Sequence, residues 1–133
     1  MRVFLPVAGF FAFLSVLLSA FGVHKLGHGM STTNVYYFMT AARFEFAHSL
    51  ALFAIGLFGF VATKPFRLLR VAAYLMVVGI VFFCGDIYLA TIFNVHSILL
   101  LVPVGGVAFL LAWLLIFVAG IYYYYHSVHE HDL

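Results

Sequence analysis

The sequence predicts an all-α integral membrane protein whose four transmembrane helices form an up-down bundle, with a short interfacial helix between helices 1 and 2. Hydrophobic residues make up 67% of the 133 residues and charged residues only 8%, so a water-soluble domain would lack polar side chains to cover its surface. Four continuous apolar segments are long enough to cross a bilayer, and most connections between them are short. We therefore expect a single membrane domain over residues 1–133.

The apolar segments predict the four transmembrane helices, because about 20 apolar residues span the hydrocarbon core of a bilayer. They cover residues 3–23, 44–62, 71–93 and 98–125. The runs are continuous rather than alternating, which favours helices over the strands of a membrane barrel. The first run resembles a signal peptide but is longer than one, so we expect a retained helix.

The connection between the first two helices is the only one long enough to have its own structure. Gly27 and Gly29 are expected to end the first helix, and the Ser, Thr and Asn residues at 31–34 can cap a further helical turn. Aromatic residues follow at 36–38, and aromatic side chains favour the lipid headgroup region. These residues predict the short interfacial helix.

Glycine and proline predict how the helices pack. Small residues let membrane helices approach closely, and the candidate packing glycines are Gly56, Gly59, Gly79, Gly105, Gly106 and Gly120. Pro103 lies inside the fourth apolar segment, so we expect a kink or an opening of that helix about one turn after its start.

The basic residues predict the orientation, because Lys and Arg accumulate on the cytoplasmic side. One side of the predicted topology carries Arg2, Lys64, Arg67 and Arg70, whereas the other carries Lys25 and Arg43. Both termini are therefore expected in the cytoplasm. The run Tyr122, Tyr123, Tyr124 and Tyr125 then lies at the cytoplasmic interface, where aromatic belts occur.

Polar side chains converge in the opposite half of the membrane. Glu45 and His48 are three residues apart and share a helix face. Asp86 lies about 10 Å inside the third apolar segment, where a charged group facing lipid would be costly. His24 and Arg43 border the same side.

Two interpretations of this cluster stay open. In the structural one, Arg43 neutralises a carboxylate and Glu45, His48 and Asp86 fix the packing of the helices. In the functional one, Glu45, His48, Asp86 and His24 bind a divalent metal or relay protons, since Glu-x-x-His is a ligand spacing of helical bundles. Di-metal sites use two such pairs, and this chain has one.

Several function classes lack their motifs. The six basic residues are scattered, so no surface for nucleic acid is indicated. There is no Gly-x-Ser-x-Gly, no P-loop and no cysteine besides Cys84. We therefore expect a protein that is not an enzyme.

Short motifs in a fixed order resemble the YgdD-like family, the domain of unknown function 423, which also includes eukaryotic transmembrane protein 256. The motifs are Phe21-Gly22-Val23-His24 with Leu26, Thr40-Ala41, His48-Ser49-Leu50-Ala51-Leu52, Phe83-Cys84-Gly85 with Tyr88, and Pro103-Val104-Gly105-Gly106 with Phe109 and Trp113. The resemblance implies a small polytopic protein of the bacterial inner (plasma) membrane or, alternatively, of a mitochondrial or other organelle membrane. It implies no known reaction. Relatives commonly carry glutamine where Glu45 stands and serine where Asp86 stands.

The resulting prediction is a noncatalytic accessory or scaffold subunit of a larger membrane complex. Its expected partners are the lipid bilayer and other membrane protein subunits or further copies of itself. The alternative is the metal-binding or proton-relay protein that uses Glu45, His48 and Asp86.

Overall fold

The structure is a computed structural model that describes residues 1–24, 29–61, 67–95 and 99–129. The described residues form helices and no strands. In chain order these are α1 (Phe4–His24), α2 (Thr32–Val61), α3 (Arg67–Gly79), a π-helical segment (Ile80–Cys84), α4 (Gly85–Phe93) and α5 (Val102–His129). Since α3, the π-helical segment and α4 are continuous, the described residues hold four helices long and apolar enough to cross a membrane. The predicted fold class is confirmed.

The predicted interfacial helix is not a separate element. The residues expected to form it are the first turns of α2, which runs without interruption for 30 residues. No glycine or proline occurs between Thr32 and Gly56, so nothing in this stretch breaks the helix. Ser31 begins α2, because its hydroxyl oxygen accepts the backbone N–H of Asn34 at 3.2 Å.

Neighbouring helices are antiparallel, as an up-down bundle requires. The backbone of α1 at Leu5 lies against Gly56 of α2, and Gly22 at the other end of α1 lies against Phe38. The side chains of Asn34 and Asn94 are joined by a 3.0 Å hydrogen bond, which fixes the start of α2 beside the end of α4.

The bundle has two chemically different ends. We call the end that holds Arg2, Arg67 and Arg70 the basic end. The other end, which holds the Asn34–Asn94 hydrogen bond, is the far end. The basic end therefore carries the first residues of α1 and α3 and the last residues of α2 and α5.

Helix α5 packs closely on the third span through two glycines. A Cβ atom on Gly105 would lie 2.8 Å from the Cα of Phe83, and one on Gly79 would overlap the ring of Phe109. Hence the backbones approach to a distance that larger residues would prevent. Gly56 has the same role between α1 and α2. The expectation is wrong for Gly120, because nothing lies within 4 Å of the Cβ position there.

Pro103 does not kink the fourth membrane helix. Helix α5 begins at Val102 and not at residue 98, so Pro103 is its second residue. A proline in the first turn costs no hydrogen bond, because the first N–H groups of a helix have no acceptor within the helix. The residue therefore helps to start α5.

Candidate functional site

Glu45 is the most deeply buried of the polar residues predicted to form a site. Its side chain is 1% exposed, and the hydroxyl of Tyr88 donates a hydrogen bond of 2.6 Å to Oε2. This bond joins the middle of α2 to α4. The ring of Tyr88 also packs on Phe38, with ring centroids 4.8 Å apart, so α4 is held to α2 by a polar and an aromatic contact together.

His48 lies one turn further along α2, within a group of aromatic rings. Its Nδ1 is 2.6 Å from the backbone oxygen of Phe44, and since a carbonyl can only accept, Nδ1 carries the proton. The imidazole stacks on Phe109 of α5, with centroids 3.6 Å apart, and Trp113 meets it edge-on at 6.1 Å. His48 therefore contributes to the contact between α2 and α5 chiefly through its flat face.

Asp86 binds the start of α5. Its Oδ2 accepts the backbone N–H of Leu101 at 3.1 Å and that of Val102 at 3.2 Å. These N–H groups belong to the first turn of a helix, where no carbonyl of the helix can accept them. The partial positive charge of a helix N-terminus also favours a carboxylate at this place. Asp86 thus caps α5 from a different helix.

The cap fixes the depth at which α5 begins. Asp86 stands seven residues before the end of α4, so Val102 lies about 10 Å below that end. Val102 therefore lies nearer the middle of the bundle than Asn94. Asn94 adopts a left-handed backbone conformation, with φ 53°, which ends α4 at this turn.

The buried residues predicted to bind a metal each form hydrogen bonds with a different partner. Glu45 is bound by Tyr88, His48 by Phe44 and Asp86 by the start of α5. His24 is the last residue of α1 and is exposed. Within residues 1–24, 29–61, 67–95 and 99–129 there is no group of three or more His, Cys, Asp and Glu that could hold a metal ion.

Arg43 does not take the position that the structural interpretation gave it. It is exposed, whereas Glu45, two residues later, is buried. Side chains two apart on a helix project from nearly opposite faces, so Arg43 points away from the buried carboxylate. The neutral hydroxyl of Tyr88 takes the place that we expected Arg43 to occupy.

A pocket of 330 Å³ lies at the far end, next to the α5 cap. Its wall is formed by Tyr37, Ile87, Ala90, Thr91, Leu99 and Val102. The hydroxyl of Thr91 donates to the backbone oxygen of Ile87 at 2.8 Å, so this side chain is turned into its own helix. The wall is mostly apolar, and none of Glu45, His48 and Asp86 belongs to it.

Sequence reasoning missed Tyr88 as a partner and Asp86 as a cap. The capping role of Asp86 could have been inferred from the sequence. No Ser, Thr, Asp or Asn occurs between Ile98 and Pro103, so a helix that starts at this proline lacks a capping side chain of its own. Its N–H groups then need an acceptor from elsewhere in the bundle, and Asp86 is the preceding carboxylate in the chain. In the described part of the chain no fully buried side-chain nitrogen or oxygen lacks a partner.

Comparisons with known proteins place this arrangement in a family. Residues 18–106 match the family model described as "Protein of unknown function (DUF423)". The chain is 32% identical to the UPF0382 membrane protein YwdK of Bacillus subtilis, over 92% of this chain and 99% of the relative. It is 30% identical to the UPF0382 inner membrane protein YgdD of Escherichia coli, over 91% of this chain and 88% of the relative. No solved structure matches the chain.

The matched residues extend from the second half of α1 to the first turn of α5 and so include Glu45, His48 and Asp86. They also include most of the motifs on which the resemblance was based, which confirms it. The chain belongs to the DUF423 family of membrane proteins of unknown function.

Proposed function

We propose that this protein is a noncatalytic accessory or scaffold subunit, a single membrane domain that acts by packing against other membrane proteins. The observation that supports this most directly is that its buried carboxylates hold its own helices together. Glu45 joins α2 to α4, and Asp86 caps α5, so both carboxylates serve helix packing. Neither belongs to the wall of the pocket at the far end.

The outward surface of α5 gives a second line of support. Large apolar side chains such as Leu110, 73% exposed, and Phe117, 65% exposed, point away from the bundle. Phe117 also borders a groove of 530 Å³ on α5 that includes Gly120 and Tyr124. No atom of a neighbouring helix lies within 4 Å of the Cβ position of Gly120, and a small residue lets the backbone of another helix approach closely.

Mild detergent extraction followed by light scattering tests the proposal. We expect a protein mass well above the 14.9 kDa of one chain, and we expect Gly120→Leu to lower the assembled fraction at least about threefold, since a large side chain fills the groove. Gly9→Leu is the matched control, because Gly9 also has nothing within 4 Å but lies on α1. A monomeric wild type would contradict the proposal.

Elemental analysis separates this proposal from the metal-binding alternative. The scaffold proposal expects the same low metal content in the wild type, in Glu45→Gln and in Asp86→Ser. One bound metal ion per chain in the wild type, lost in both variants, would instead favour a metal site formed by these carboxylates. Unchanged proton uptake in the same variants would count against a proton relay.

We further propose that both termini face the cytoplasm of a bacterial cell. The exposed Arg67 and Arg70 stand with Arg2 at the basic end, and Lys64 precedes them in the sequence. Arg43 is the exposed arginine towards the other side. The excess of positive charge favours a cytoplasmic location for the basic end.

A further inference from the structure

The basic end carries positive charge that no described carboxylate balances. Arg2, Arg67 and Arg70 are exposed there. The carboxylates of the described ranges, Glu45 and Asp86, are engaged deep in the bundle towards the far end. A charged group at the surface of a membrane protein is stabilised by counter-charge in the lipid headgroups beside it.

Arg2 and Arg70 both lie at the basic end, beyond a contact between the start of α1 and α3. The rings of Phe4 on α1 and Tyr74 on α3 meet edge-to-face, with centroids 5.1 Å apart. Arg2 precedes Phe4 by two residues, and Arg70 precedes Tyr74 by four, which places Arg70 on the same face of α3. Both arginines therefore lie nearer the basic end than the ring contact, and the guanidinium of Arg2 lies on the last turn of α2, at Gly59 and Phe60.

Neutral groups hold Arg2 in this position. Its Nε donates a long hydrogen bond of 3.5 Å to the backbone oxygen of Gly59, and its guanidinium lies 5.0 Å from the centre of the Phe60 ring. A carbonyl and a ring face orient a guanidinium without cancelling its charge. The remaining N–H groups can still donate to an anion.

We propose that the basic end, where Arg2 lies on the last turn of α2 and Arg67 and Arg70 stand in the first turn of α3, binds the phosphate groups of anionic phospholipids in the adjoining leaflet. Guanidinium groups match phosphate geometry and bind it through paired hydrogen bonds. Below the arginines, the exposed side chains Val3, Val71 and Tyr74 offer an apolar surface along which the acyl chains can lie. The site does not depend on the scaffold function, and either can fail alone.

Native mass spectrometry of the full-length protein tests this directly. The protein is released from nanodiscs that contain equal amounts of phosphatidylglycerol and phosphatidylcholine, and the retained lipids are counted. We expect the wild type to retain phosphatidylglycerol about tenfold or more over phosphatidylcholine, and we expect Arg2→Gln and Arg70→Gln each to lower this preference about fivefold.

Arg43→Gln is the matched control, because it removes an exposed arginine away from the basic end. It should leave the preference unchanged. A second measurement needs no variant: in about 1 M ammonium acetate, a volatile salt in which charges more than about 3 Å apart are screened, the wild type should lose most of its preference. Equal retention of both lipids by the wild type would overturn the proposal, as would an equal loss in Arg43→Gln and Arg70→Gln.

Discussion

The Oδ2 atom of Asp86 lies 3.2 Å from the backbone nitrogen of Val102, the first residue of α5. It also accepts the N–H of Leu101, so one carboxylate oxygen satisfies two N–H groups of a helix start. Asp86 is 4% exposed, and water has little access to replace it. This contact links the third and fourth membrane spans at a defined depth.

Removing this cap should destabilise the bundle. We expect Asp86→Ala to lower the free energy of unfolding by about 2 to 3 kcal/mol, because two N–H groups would be left without an acceptor. Asp86→Asn keeps one oxygen acceptor, so its loss should be about half as large. Circular dichroism during titration of dodecyl maltoside micelles with sodium dodecyl sulfate measures both.

Thr91→Val is the control for this experiment. The hydroxyl of Thr91 donates only to backbone oxygens one turn earlier in its own helix, at Ile87 and Tyr88. We expect a change below about 0.5 kcal/mol, because those oxygens already accept helical hydrogen bonds. If Asp86→Ala were as stable as Thr91→Val, the cap would not contribute to stability.

Glu45 and Tyr88 should behave as a coupled pair. Tyr88→Phe leaves the buried Oε2 of Glu45 without its donor, at an expected cost of about 1 to 3 kcal/mol. The double variant with Glu45→Gln should cost less than the sum of the two single variants, by about 1 kcal/mol. The same detergent titration supplies all four stabilities.

Tyr36→Phe provides the comparison, because Tyr36 is 65% exposed at the start of α2. Its removal should leave the unfolding free energy within about 0.5 kcal/mol of the wild type. Strict additivity of Glu45→Gln and Tyr88→Phe would show that the hydrogen bond between them does not contribute to the stability of the bundle.

The adjacent glycines of α5 should respond in opposite directions to the same substitution. A Cβ atom on Gly105 would stand 2.8 Å from the Cα of Phe83, so the two backbones would have to separate. We expect Gly105→Ala to cost about 1 to 3 kcal/mol. On Gly106 the nearest atom is 3.9 Å away, on the ring of Phe83. Gly106→Ala should therefore be neutral or stabilise α5 by up to about 1 kcal/mol.

Unfolding in the same detergent mixture distinguishes the two alanine variants. Equal destabilisation by both would contradict the structure, because it would mean that a Cβ atom on Gly106 meets a neighbour as closely as one on Gly105. Equal stabilisation would mean that the close approach at Gly105 does not occur in the membrane.

The four spans were predictable because hydrophobicity is a property of each segment alone. Any 20-residue apolar run must satisfy its backbone groups internally, whatever its neighbours. The π-helical segment Ile80–Cys84 could not be predicted in this way. It lies where the backbone of Phe83 meets Gly105, so it belongs to a contact between two helices and leaves no periodic pattern in its own sequence.

The polar cluster was likewise predictable only in part: burial followed from each segment, but the partners did not. Burial of Glu45, His48 and Asp86 followed from their position inside apolar runs and is observed. Their partners did not follow, because a partner is set by the rotation of each helix about its axis. The π-helical segment adds a residue to one turn and rotates every later side chain of that span by about 100°. Asp86 and Tyr88 both lie after it.

Orientation is the remaining prediction, and cysteine labelling measures it. In a Cys84→Ala background, single cysteines are placed at Gly29, which is exposed at the far end before α2, and at His126, which is exposed near the end of α5. A membrane-impermeant maleimide is applied to intact bacterial cells with a permeabilised outer membrane. We expect Gly29→Cys to be labelled in intact cells. We expect His126→Cys to be labelled only after lysis, with at least about tenfold less label before lysis.

We attribute this orientation to the charge difference between the two ends, so removing the difference should make the orientation less uniform. Arg67→Gln together with Arg70→Gln leaves Arg2 and Lys64 against Lys25 and Arg43, which is an even count. We expect this variant to label at both positions in intact cells, because no excess of positive charge remains to hold one end in the cytoplasm. Labelling of His126→Cys in intact cells that carry both arginines would show that the termini face away from the cytoplasm. A fixed orientation after the loss of both arginines would mean that another feature of the chain, such as the length of the first connection, sets it.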